Sequence, residues 1–553
     1  MKNVGVIISF FAASIVSAST AINESPSVKI GCTTYQGVQK EDAGVNAYYG
    51  IRYASPPTED LRWRAPVPLD PRNAPVGFVN ATTRGPACLQ NSPPWQPASS
   101  YIMIESEDCL LMDIVTPINV KGKLPVLVNI HGGGYVSGVA TQGDSIVYHS
   151  NGSIIYVAIQ YRLGPLGFLA GEEVASDGTP NAGLLDQRAA LEWVRQYIHH
   201  FGGDPDKVTI TGGSAGGGSV VMQMILDGGE QNPPFRAVIS EYPWMTPMYP
   251  TDWYNKQYEG LLSASDCDDI ACLRSLPVDS LKSATKSAAE IAYNNGDFGY
   301  GTFYWGPSVD GKRIRDYPLN EFRNSHFTKV PFVVDREGYE GYVFTNPSTK
   351  AEEDVATSLE MIWQTKNKTF INQVLELYPT DQFNATLLDD FRGLRVLSGN
   401  TTIKNSFAKL ENIVSDVLID CQTSAIAKYI SNNGLAAYKM TFNAGSQLHG
   451  ATMEFLFSSS PNPTGAAGAG GIPIAYPNAT LASYMRDYFV SFVLYMDPNQ
   501  YAYGQKPPSW PRFTKEDPKV LRVEFESIGA SLDPEDSPQC RFLTAAPRDV
   551  FGV

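Results

Sequence analysis

The sequence predicts an α/β protein: a large, mostly parallel, twisted sheet with helices on both faces and a helical cap. Several apolar runs are continuous rather than alternating, which is typical of parallel strands buried on both faces. These runs are 124–130, 154–159, 208–210, 235–240, 332–334 and 436–442. Helical periodicity lies between them, and residues 184–198 place Leu184, Leu191 and Val194 on one face. Strands that alternate with helices indicate the α/β class.

A helix-rich segment at 350–430 is predicted to form the cap on one edge of the sheet. The chain has 553 residues, of which 43% are hydrophobic. We find no internal repeat and no polar linker long enough to separate domains, so residues 19–553 are expected to form one domain. The formal net charge of −15 argues against binding to nucleic acids and to anionic membranes.

Residues 1–18 have the features of a secretory signal peptide. Lys2 is the only charge, residues 4–16 are apolar, and Val16, Ser17 and Ala18 are suited to cleavage. The apolar run is too short to span a bilayer, and no later run of 18 residues is uninterrupted by polar ones. The prediction is a secreted, extracellular protein without stable membrane insertion.

Glycosylation sequons and cysteines agree with secretion. Seven N-x-S/T sequons are present, at Asn23, Asn80, Asn151, Asn367, Asn384, Asn400 and Asn478. Seven cysteines are present, so one is left over if the others pair. Sequence alone does not determine the pairing. Proximity along the chain favours the pairs Cys88–Cys109 and Cys267–Cys272. This leaves Cys421 to pair with Cys540, and Cys32 as the free cysteine.

The segment 207–219 predicts a strand, a sharp turn and a helix, with Ser214 at the turn. Residues 212–216 read G-G-S-A-G, which matches the G-x-S-x-G nucleophile elbow of α/β-hydrolases. A serine nucleophile must stand clear of the backbone, and small neighbours make the tight turn possible. The helix that follows directs its N-terminal N–H groups at developing negative charge.

A glycine-rich loop follows the predicted strand 124–130. Residues 131–135 read H-G-G-G-Y, the pattern of loops whose N–H groups stabilise an oxyanion. We expect Gly133 and Gly134 to donate two of these N–H groups and Ala215, directly after the nucleophile, to donate the third. A phosphate-binding Walker loop is excluded because G-x-x-x-x-G-K-[ST] is absent.

A serine nucleophile requires a general base, and the chain has six histidines. The order of catalytic residues in this type of fold is serine, acid, histidine, which leaves His326 and His449. His326 precedes the strand at 332–334, too early to follow an acid at the end of that strand. His449 lies in a loop after the strand 436–442 and is the predicted base.

The acid that orients the histidine is expected where the strand 332–334 ends. Asp335, Glu337 and Glu340 all lie there, and periodicity does not separate them.

Taken together, these segments resemble the type-B carboxylesterase/lipase family, which includes fungal lipases and cholinesterases. Besides the two motifs above, the resemblance rests on E-D-C-L-L-M-D-I at 107–114, Y-R-L-G-P-L-G-F at 161–168, N-A-G-L-L-D-Q-R at 181–188 and F-G-G-D-P-D-K-V at 201–208. It covers nearly the whole mature chain. It implies the α/β-hydrolase fold and a serine mechanism that needs no metal or cofactor.

The resemblance also implies site residues. The family motif V-P-x-x-x-G-x-N-x-x-E-G-x-x-F, aligned on residues 330–344, places the acid at Glu340, with Glu337 as the second choice. The family's histidine, followed by glycine, falls on His449. Its three disulfides fall on the pairs Cys88–Cys109, Cys267–Cys272 and Cys421–Cys540.

Two departures from the family pattern bear on the substrate. Gly213 stands where the elbow usually has glutamate, a carboxylate that cholinesterases use near a cationic group, so choline esters are not expected. The loop between Cys88 and Cys109, which contains Trp95, is shorter than the lid loop of family lipases. A short loop suggests an open esterase gorge.

The sequence therefore predicts a secreted serine carboxylic ester hydrolase acting through an acyl-enzyme on a small-molecule or lipid ester. The alternatives are a true lipase on long-chain acylglycerols and a non-catalytic binding member of the family, which the complete set of serine, acid and histidine disfavours. No pattern indicates an oligomeric state.

Overall fold

A computed structural model describes residues 25–69, 76–96, 103–384, 404–457 and 478–545. The predicted signal peptide and the sequons at Asn23 and Asn400 lie outside the described residues. The strands are β1 (Ser27–Ile30), β2 (Thr33–Gln36), β3 (Val38–Lys40), β4 (Val45–Arg52), β5 (Gly77–Asn80), β6 (Leu111–Pro117), β7 (Leu124–Ile130), β8 (Ile155–Ile159), β9 (Gly203–Gly213), β10 (Ala237–Glu241), β11 (Phe332–Glu337), β12 (Ala437–Asn443), β13 (Lys519–Glu524) and β14 (Ile528–Leu532).

The helices in the described ranges follow the same chain order. They are α1 (Asp144–His149), α2 (Gly164–Phe168), α3 (Glu172–Asp177), α4 (Ala182–Tyr197), α5 (Ala215–Ile225), α6 (Thr251–Ser265), α7 (Ile270–Ser275), α8 (Val278–Asn295), α9 (Pro318–Arg323), α10 (Glu352–Trp363), α11 (Lys368–Leu377), α12 (Asn405–Ser415), α13 (Cys421–Asn432), α14 (Ala451–Leu456), α15 (Ala479–Tyr495) and α16 (Pro538–Ala545). A π-helical turn, Asp416–Asp420, joins α12 to α13.

One large sheet has the strand order β14-β13-β12-β11-β10-β9-β7-β8-β6-β4-β3. The seven strands from β8 to β13 in this order pair in parallel, and antiparallel strands extend the sheet at both ends. A small separate sheet has the order β1-β2-β5. The predicted α/β class with a mostly parallel sheet is therefore confirmed.

Both faces of the large sheet are covered by helices, which explains why the strands read as continuous apolar runs. In β7, Val126 and Val128 pack into one core with residues of α4, α5, α12 and α13. Leu127 points to the other side, into a second core with residues of α1, α14 and α15. Each face thus buries alternate side chains of the same strand.

The helical segment predicted as a cap is helical where it is described, at α10–α13. The last of these helices, α13, packs against β11 and β12, so it covers a face of the sheet. A separate helical cluster, which the sequence did not reveal, is formed by α6, α7 and α8 around Leu261, Leu273 and Ala288. None of the helices in the described ranges is long and apolar enough to cross a membrane.

A buried ionic cluster ties the C-terminal region to the sheet. Lys439 on β12 is fully buried and pairs with Asp533 and Glu535. Arg336 on the neighbouring β11 donates to Glu535 as well. Charges this deep are tolerated only when they are paired, so the four side chains depend on one another.

Three disulfides join the cysteine pairs that the sequence analysis favoured: Cys88–Cys109, Cys267–Cys272 and Cys421–Cys540. The remaining Cys32 is an exposed free thiol in the turn between β1 and β2.

Candidate active site

The candidate site lies at one edge of the sheet, where parallel strands end side by side. Strands β7, β9, β10, β11 and β12 run in the same direction, so their carboxyl ends meet there. The loops that follow carry the H-G-G-G segment after β7, Ser214 after β9, Glu340 after β11 and His449 after β12. Residues far apart in the sequence are thereby brought together.

Ser214 occupies the turn between β9 and α5 with φ 58° and ψ −128°, a strained backbone conformation for a residue with a side chain. Its N–H donates to the carbonyl oxygen of Glu241 at 3.1 Å, and its own carbonyl accepts from the N–H of Trp244 at 2.9 Å. A Cβ atom at Gly216 would lie 2.0 Å from the carbonyl oxygen of Ile130, so only glycine fits there. These contacts hold the serine hydroxyl at the tip of the elbow.

The side chains of Ser214, His449 and Glu340 form a continuous hydrogen-bonded chain. The Oγ hydroxyl of Ser214 donates a hydrogen bond to Nε2 of His449 at 2.8 Å. On the other side of the ring, Nδ1–H of His449 donates to Oε2 of Glu340 at 2.5 Å. Glu340 and His449 are buried, whereas Ser214 is partly exposed and accessible. This is the geometry of a nucleophile, a general base and an orienting acid.

The three carboxylates at the end of β11 have three different partners. Only Glu340 contacts His449, and its second oxygen accepts from the N–H of Glu337 at 2.6 Å. Oε1 of Glu337 instead accepts from the N–H and the hydroxyl of Thr452, at 2.9 and 2.8 Å. Asp335 accepts from the N–H of Tyr242 at 2.6 Å. The alternatives left open by periodicity are thus separated by side-chain direction.

A backbone contact aligns the acid loop with the histidine loop. Tyr339 and Leu448 form an isolated parallel β-bridge, and the N–H of Tyr339 donates to the carbonyl oxygen of Gln447 at 2.8 Å. The next residue on each side is Glu340 and His449. Glu337 adds a side-chain contact to Thr452, which lies at the start of α14, three residues after the histidine. Thr452 belongs to no recognised motif, and sequence reasoning missed it.

The oxyanion loop after β7 has its carbonyl groups turned away from the site. The carbonyl oxygen of Gly132 lies 2.8 Å from Nδ1 of His131, and that of Gly133 accepts from the N–H groups of Val136 and Ser137. In a trans peptide the N–H points opposite to the C=O, so the N–H groups of Gly133 and Gly134 face the other way. Within the described ranges, no protein acceptor takes a hydrogen bond from either N–H.

His131 supports this loop as a neutral imidazole. Burial lowers the pKa of His131 to about 4, although the contact with Gly132 opposes the shift. The ring stacks on Tyr161 at a centroid distance of 4.5 Å, and the Tyr161 hydroxyl donates to the carbonyl oxygen of His131. Because the neutral ring donates from Nδ1, it fixes the Gly132 carbonyl and with it the direction of the Gly133 N–H.

Carboxyl groups accumulate beneath the site. Burial raises the pKa of Glu241 to about 7, against a hydrogen bond from the Thr211 hydroxyl. Burial, followed by the charge of Glu241, raises the pKa of Asp335 well above its usual range. Burial, followed by the charges of Glu340 and Asp335, does the same for Glu337. Burial therefore favours the uncharged form of Glu241, Asp335 and Glu337.

Other candidates lie outside this arrangement. The side chain of His326 is 57% exposed and contacts Glu321, so the structure does not bring it to Ser214. In the part of the chain that the structure describes, the only group of three potential metal ligands is Asp416 with Cys421 and Cys540. These two sulfur atoms are joined in a disulfide and are not thiolate ligands.

Comparisons with known proteins identify a family for the chain. A model of the carboxylesterase family matches residues 24–542. Lipase 2 of Geotrichum candidum is 30% identical over 94% of this chain and 95% of its own length. A secreted lipase of Arthroderma benhamiae is 30% identical over 77% of this chain and 76% of its own length.

Among solved structures, the crystal structure of Aspergillus niger EstA is 28% identical, with a TM-score of 0.79 over 96% of this chain and 100% of that chain. The large sheet with helices on both faces is therefore the α/β-hydrolase fold. The family model covers nearly the entire sequence, and the chain belongs to the carboxylesterase family as a carboxylic ester hydrolase.

Proposed function

We propose that the protein is a secreted serine esterase that hydrolyses carboxylic esters through an acyl-enzyme, with Ser214, His449 and Glu340 as its catalytic residues. The observation that carries the proposal is the unbroken hydrogen-bonded chain from the Ser214 hydroxyl through the His449 ring to the Glu340 carboxylate. The side chains that end this chain are buried, and the hydroxyl that begins it is accessible.

The proposed reaction has two steps. His449 Nε2 takes the proton of Ser214 as Oγ attacks the ester carbonyl, and the N–H groups of Gly133, Gly134 and Ala215 stabilise the oxyanion. His449 then gives the proton to the departing alcohol, which leaves an acyl group on Ser214. Water, activated by the same histidine, releases the acid and restores the hydroxyl. Glu340 orients the ring and stabilises the imidazolium in both steps, and no metal or cofactor takes part.

A true lipase acting on long-chain acylglycerols is the second candidate, favoured by the names of the two relatives. We favour an esterase because the loop between Cys88 and Cys109 is short. Where this loop is described, it is anchored: Nε1–H of Trp95 donates to the carbonyl oxygen of Thr302 at 2.7 Å, and its ring contacts Phe303. Anchoring in the described part of this loop fits an open entrance better than a hinged lid.

Hydrolysis of p-nitrophenyl esters from acetate to palmitate, together with a triolein emulsion, tests the reaction and separates these candidates. Ser214→Ala and His449→Ala are expected to lose at least 1,000-fold in kcat. His326→Ala is the matched control for the histidine, and Ser283→Ala, an exposed serine on α8, is the control for the serine. Turnover retained by Ser214→Ala contradicts the proposal. A preference for the emulsion over soluble short esters identifies a lipase.

The acid is tested by Glu340→Gln against Glu337→Gln. Gln at 340 cannot carry the negative charge that stabilises the His449 imidazolium, and a loss of roughly 1,000-fold or more in kcat is expected. Gln at 337 keeps an acceptor for Thr452, so its kcat is expected to stay within about tenfold of the parent. The reverse order of losses would assign the acid to Glu337.

We propose that residues 1–18 are removed on secretion and that residues 19–553 form one catalytic domain. Asn80, Asn151, Asn367 and Asn384 are exposed, so their sequons are open to glycosylation. At Asn367 and Asn478 the Oδ1 atom caps a helix, and among the described residues Nδ2 makes no hydrogen bond that would compete with a glycan. N-terminal sequencing of the protein recovered from the culture medium tests removal of residues 1–18, and an intact Met1 contradicts it. The mass before and after treatment with peptide-N-glycosidase tests glycosylation, and an unchanged mass contradicts it.

A further inference from the structure

Tyr242 lies at the active-site edge although it belongs to no sequence motif. It directly follows β10, whose last residue, Glu241, is paired with Gly213 beside the nucleophile. Its φ angle is +31°, a value that bulky residues rarely adopt and that persists only where surrounding contacts enforce it. The enforcing contact is a buried one, because the N–H of Tyr242 donates to Oδ1 of Asp335 at 2.6 Å.

The phenol ring of Tyr242 explains the glycine at position 213. A Cβ atom on Gly213 would lie 2.0 Å from the Tyr242 hydroxyl oxygen and 2.3 Å from Cζ of the ring. The φ angle of Gly213 lies outside the left-handed region, so its backbone would accept an L-residue. Tyr242 therefore excludes a side chain there, and it fills the space beside the nucleophile where the family's elbow usually has glutamate.

The same ring packs against the catalytic imidazole. The centroids of Tyr242 and His449 are 5.1 Å apart with an interplanar angle of 83°. Phe344 makes a second contact with His449, at 4.9 Å and 74°. Edge-to-face contacts of this kind restrict ring rotation, which the two hydrogen bonds of His449 leave partly free.

The Tyr242 hydroxyl is uncharged in this environment. It is buried and has no hydrogen-bond partner within the described residues. Burial, with the neighbouring carboxyls of Glu241, Glu337, Asp335 and Glu340, raises the pKa of Tyr242 well above its usual range. A neutral ring can therefore touch His449 without adding a charge beside the imidazolium.

We propose that Tyr242 is a positioning residue, held in its strained conformation by Asp335, whose ring keeps the His449 imidazole aligned between Ser214 and Glu340. The inference rests on the proposed function, since it concerns the same serine mechanism. A displacement of about 1 Å in a catalytic group can cost 100-fold in rate. The contact that matters is the ring, and the hydroxyl matters only for excluding a side chain at Gly213.

The test compares Tyr242→Phe, which keeps the ring, with Tyr242→Leu, which removes it. Active sites are first counted with a fluorophosphonate, so that kcat refers only to folded, reactive enzyme. For Tyr242→Leu we expect kcat to fall 10- to 100-fold, KM for p-nitrophenyl butyrate to change less than threefold, and the acidic limb of the pH profile of kcat/KM to shift. Tyr242→Phe should stay within threefold in kcat, with an unchanged profile.

Asp335 is tested in the same assay. Asp335→Asn retains an oxygen acceptor for the Tyr242 N–H and is expected to resemble the parent enzyme. Asp335→Leu removes the acceptor, and it should reproduce the loss in kcat and the shifted profile of Tyr242→Leu.

A double-mutant cycle with Gly213 gives an independent measurement, and the single variant Gly213→Ala serves by itself if Tyr242→Leu fails to fold. Gly213→Ala should displace Tyr242 and lower kcat at least tenfold. In the Tyr242→Leu background, the same Gly213→Ala substitution should lower kcat less than threefold. Parental kcat and pH profile in Tyr242→Leu, or in Gly213→Ala, overturn the inference and leave the triad untouched. Turnover in Ser214→Ala would instead overturn the proposed function itself.

Discussion

Adding one methyl group to the oxyanion loop, by Gly133→Ala, should slow catalysis at least 100-fold without unfolding the protein. Gly133 has φ +111°, and a Cβ atom there would lie 2.1 Å from the carbonyl oxygen of Ser137. Since real contacts of this type are at least about 3 Å, the loop has to move by roughly 1 Å. The backbone strain adds about 1–3 kcal/mol, a cost that the rest of the fold can absorb.

A movement of this size carries the Gly133 N–H out of hydrogen-bond range of the oxyanion. Loss of one such donor costs about 3–4 kcal/mol of transition-state stabilisation, which is 100- to 1,000-fold in kcat. KM should change little, because the donor acts on charge that develops only in the transition state. The assay is kcat and KM for p-nitrophenyl butyrate per titrated active site, with the melting temperature measured in parallel.

Gly31→Ala is the matched control. Gly31 also has a positive φ, +57°, but no atom lies within 4 Å of a Cβ placed there, and it is remote from the site, in the turn before Cys32. It should lower the melting temperature slightly and leave kcat unchanged. A folded Gly133→Ala enzyme with kcat within threefold of the parent would refute the assignment of this N–H to the oxyanion hole.

Three further predictions concern stability. Burial raises the pKa of Glu454 to about 8, so the contribution of its carboxyl group to stability is fully present below pH 4.5 and is lost as the pH rises to 8. Glu454→Gln should therefore flatten the fall in melting temperature between pH 5 and 8. An unchanged dependence of the melting temperature on pH contradicts this prediction. Replacing Cys421 and Cys540 by alanine opens a loop with a sequence separation of 119, worth about 5 kcal/mol in chain entropy, and urea unfolding should show a loss of several kcal/mol. Lys439→Met removes the cationic partner of buried Asp533 and leaves Glu535 with Arg336 alone, with an expected loss of about 3–5 kcal/mol in the same assay. A loss below about 1 kcal/mol would mean that the Asp533 carboxyl becomes neutral.

The parallel core of the fold could be predicted from sequence because its strands are apolar on both faces. The run 124–130 coincides with β7, whereas β9 extends from Gly203 to Gly213 although the sequence predicts this strand only from residue 207. The part that is not predicted contains Asp204 and Asp206, whose polar side chains hide a strand from a search for apolar runs. The antiparallel strands at both ends of the sheet were missed as well, and β14 is mostly exposed and has no apolar run.

The candidate site could be predicted where a motif marks it and not where side-chain direction decides. Ser214 and the loop at 131–135 follow from glycine spacing, and His449 follows from chain order. Asp335, Glu337 and Glu340 are all at most 1% exposed, so neither burial nor periodicity separates them. Their different partners appear only once β10, β11 and the histidine loop are in place. The assignment of catalytic roles to these residues stays a prediction until turnover is measured.

The arrangement of five strand ends at one edge of the sheet also affects how the sequence of this protein can evolve. Each reactive group is carried by its own loop, and the strands beneath are held by buried residues such as Val128, Ile210 and Val334. Insertions into the segments that connect these loops to the following helices and strands can therefore occur without disturbing the strands or the spacing of the reactive atoms. New substrate preferences can arise through such insertions while the reaction stays the same, because the residues that recognise the substrate are separate from those that carry out the reaction.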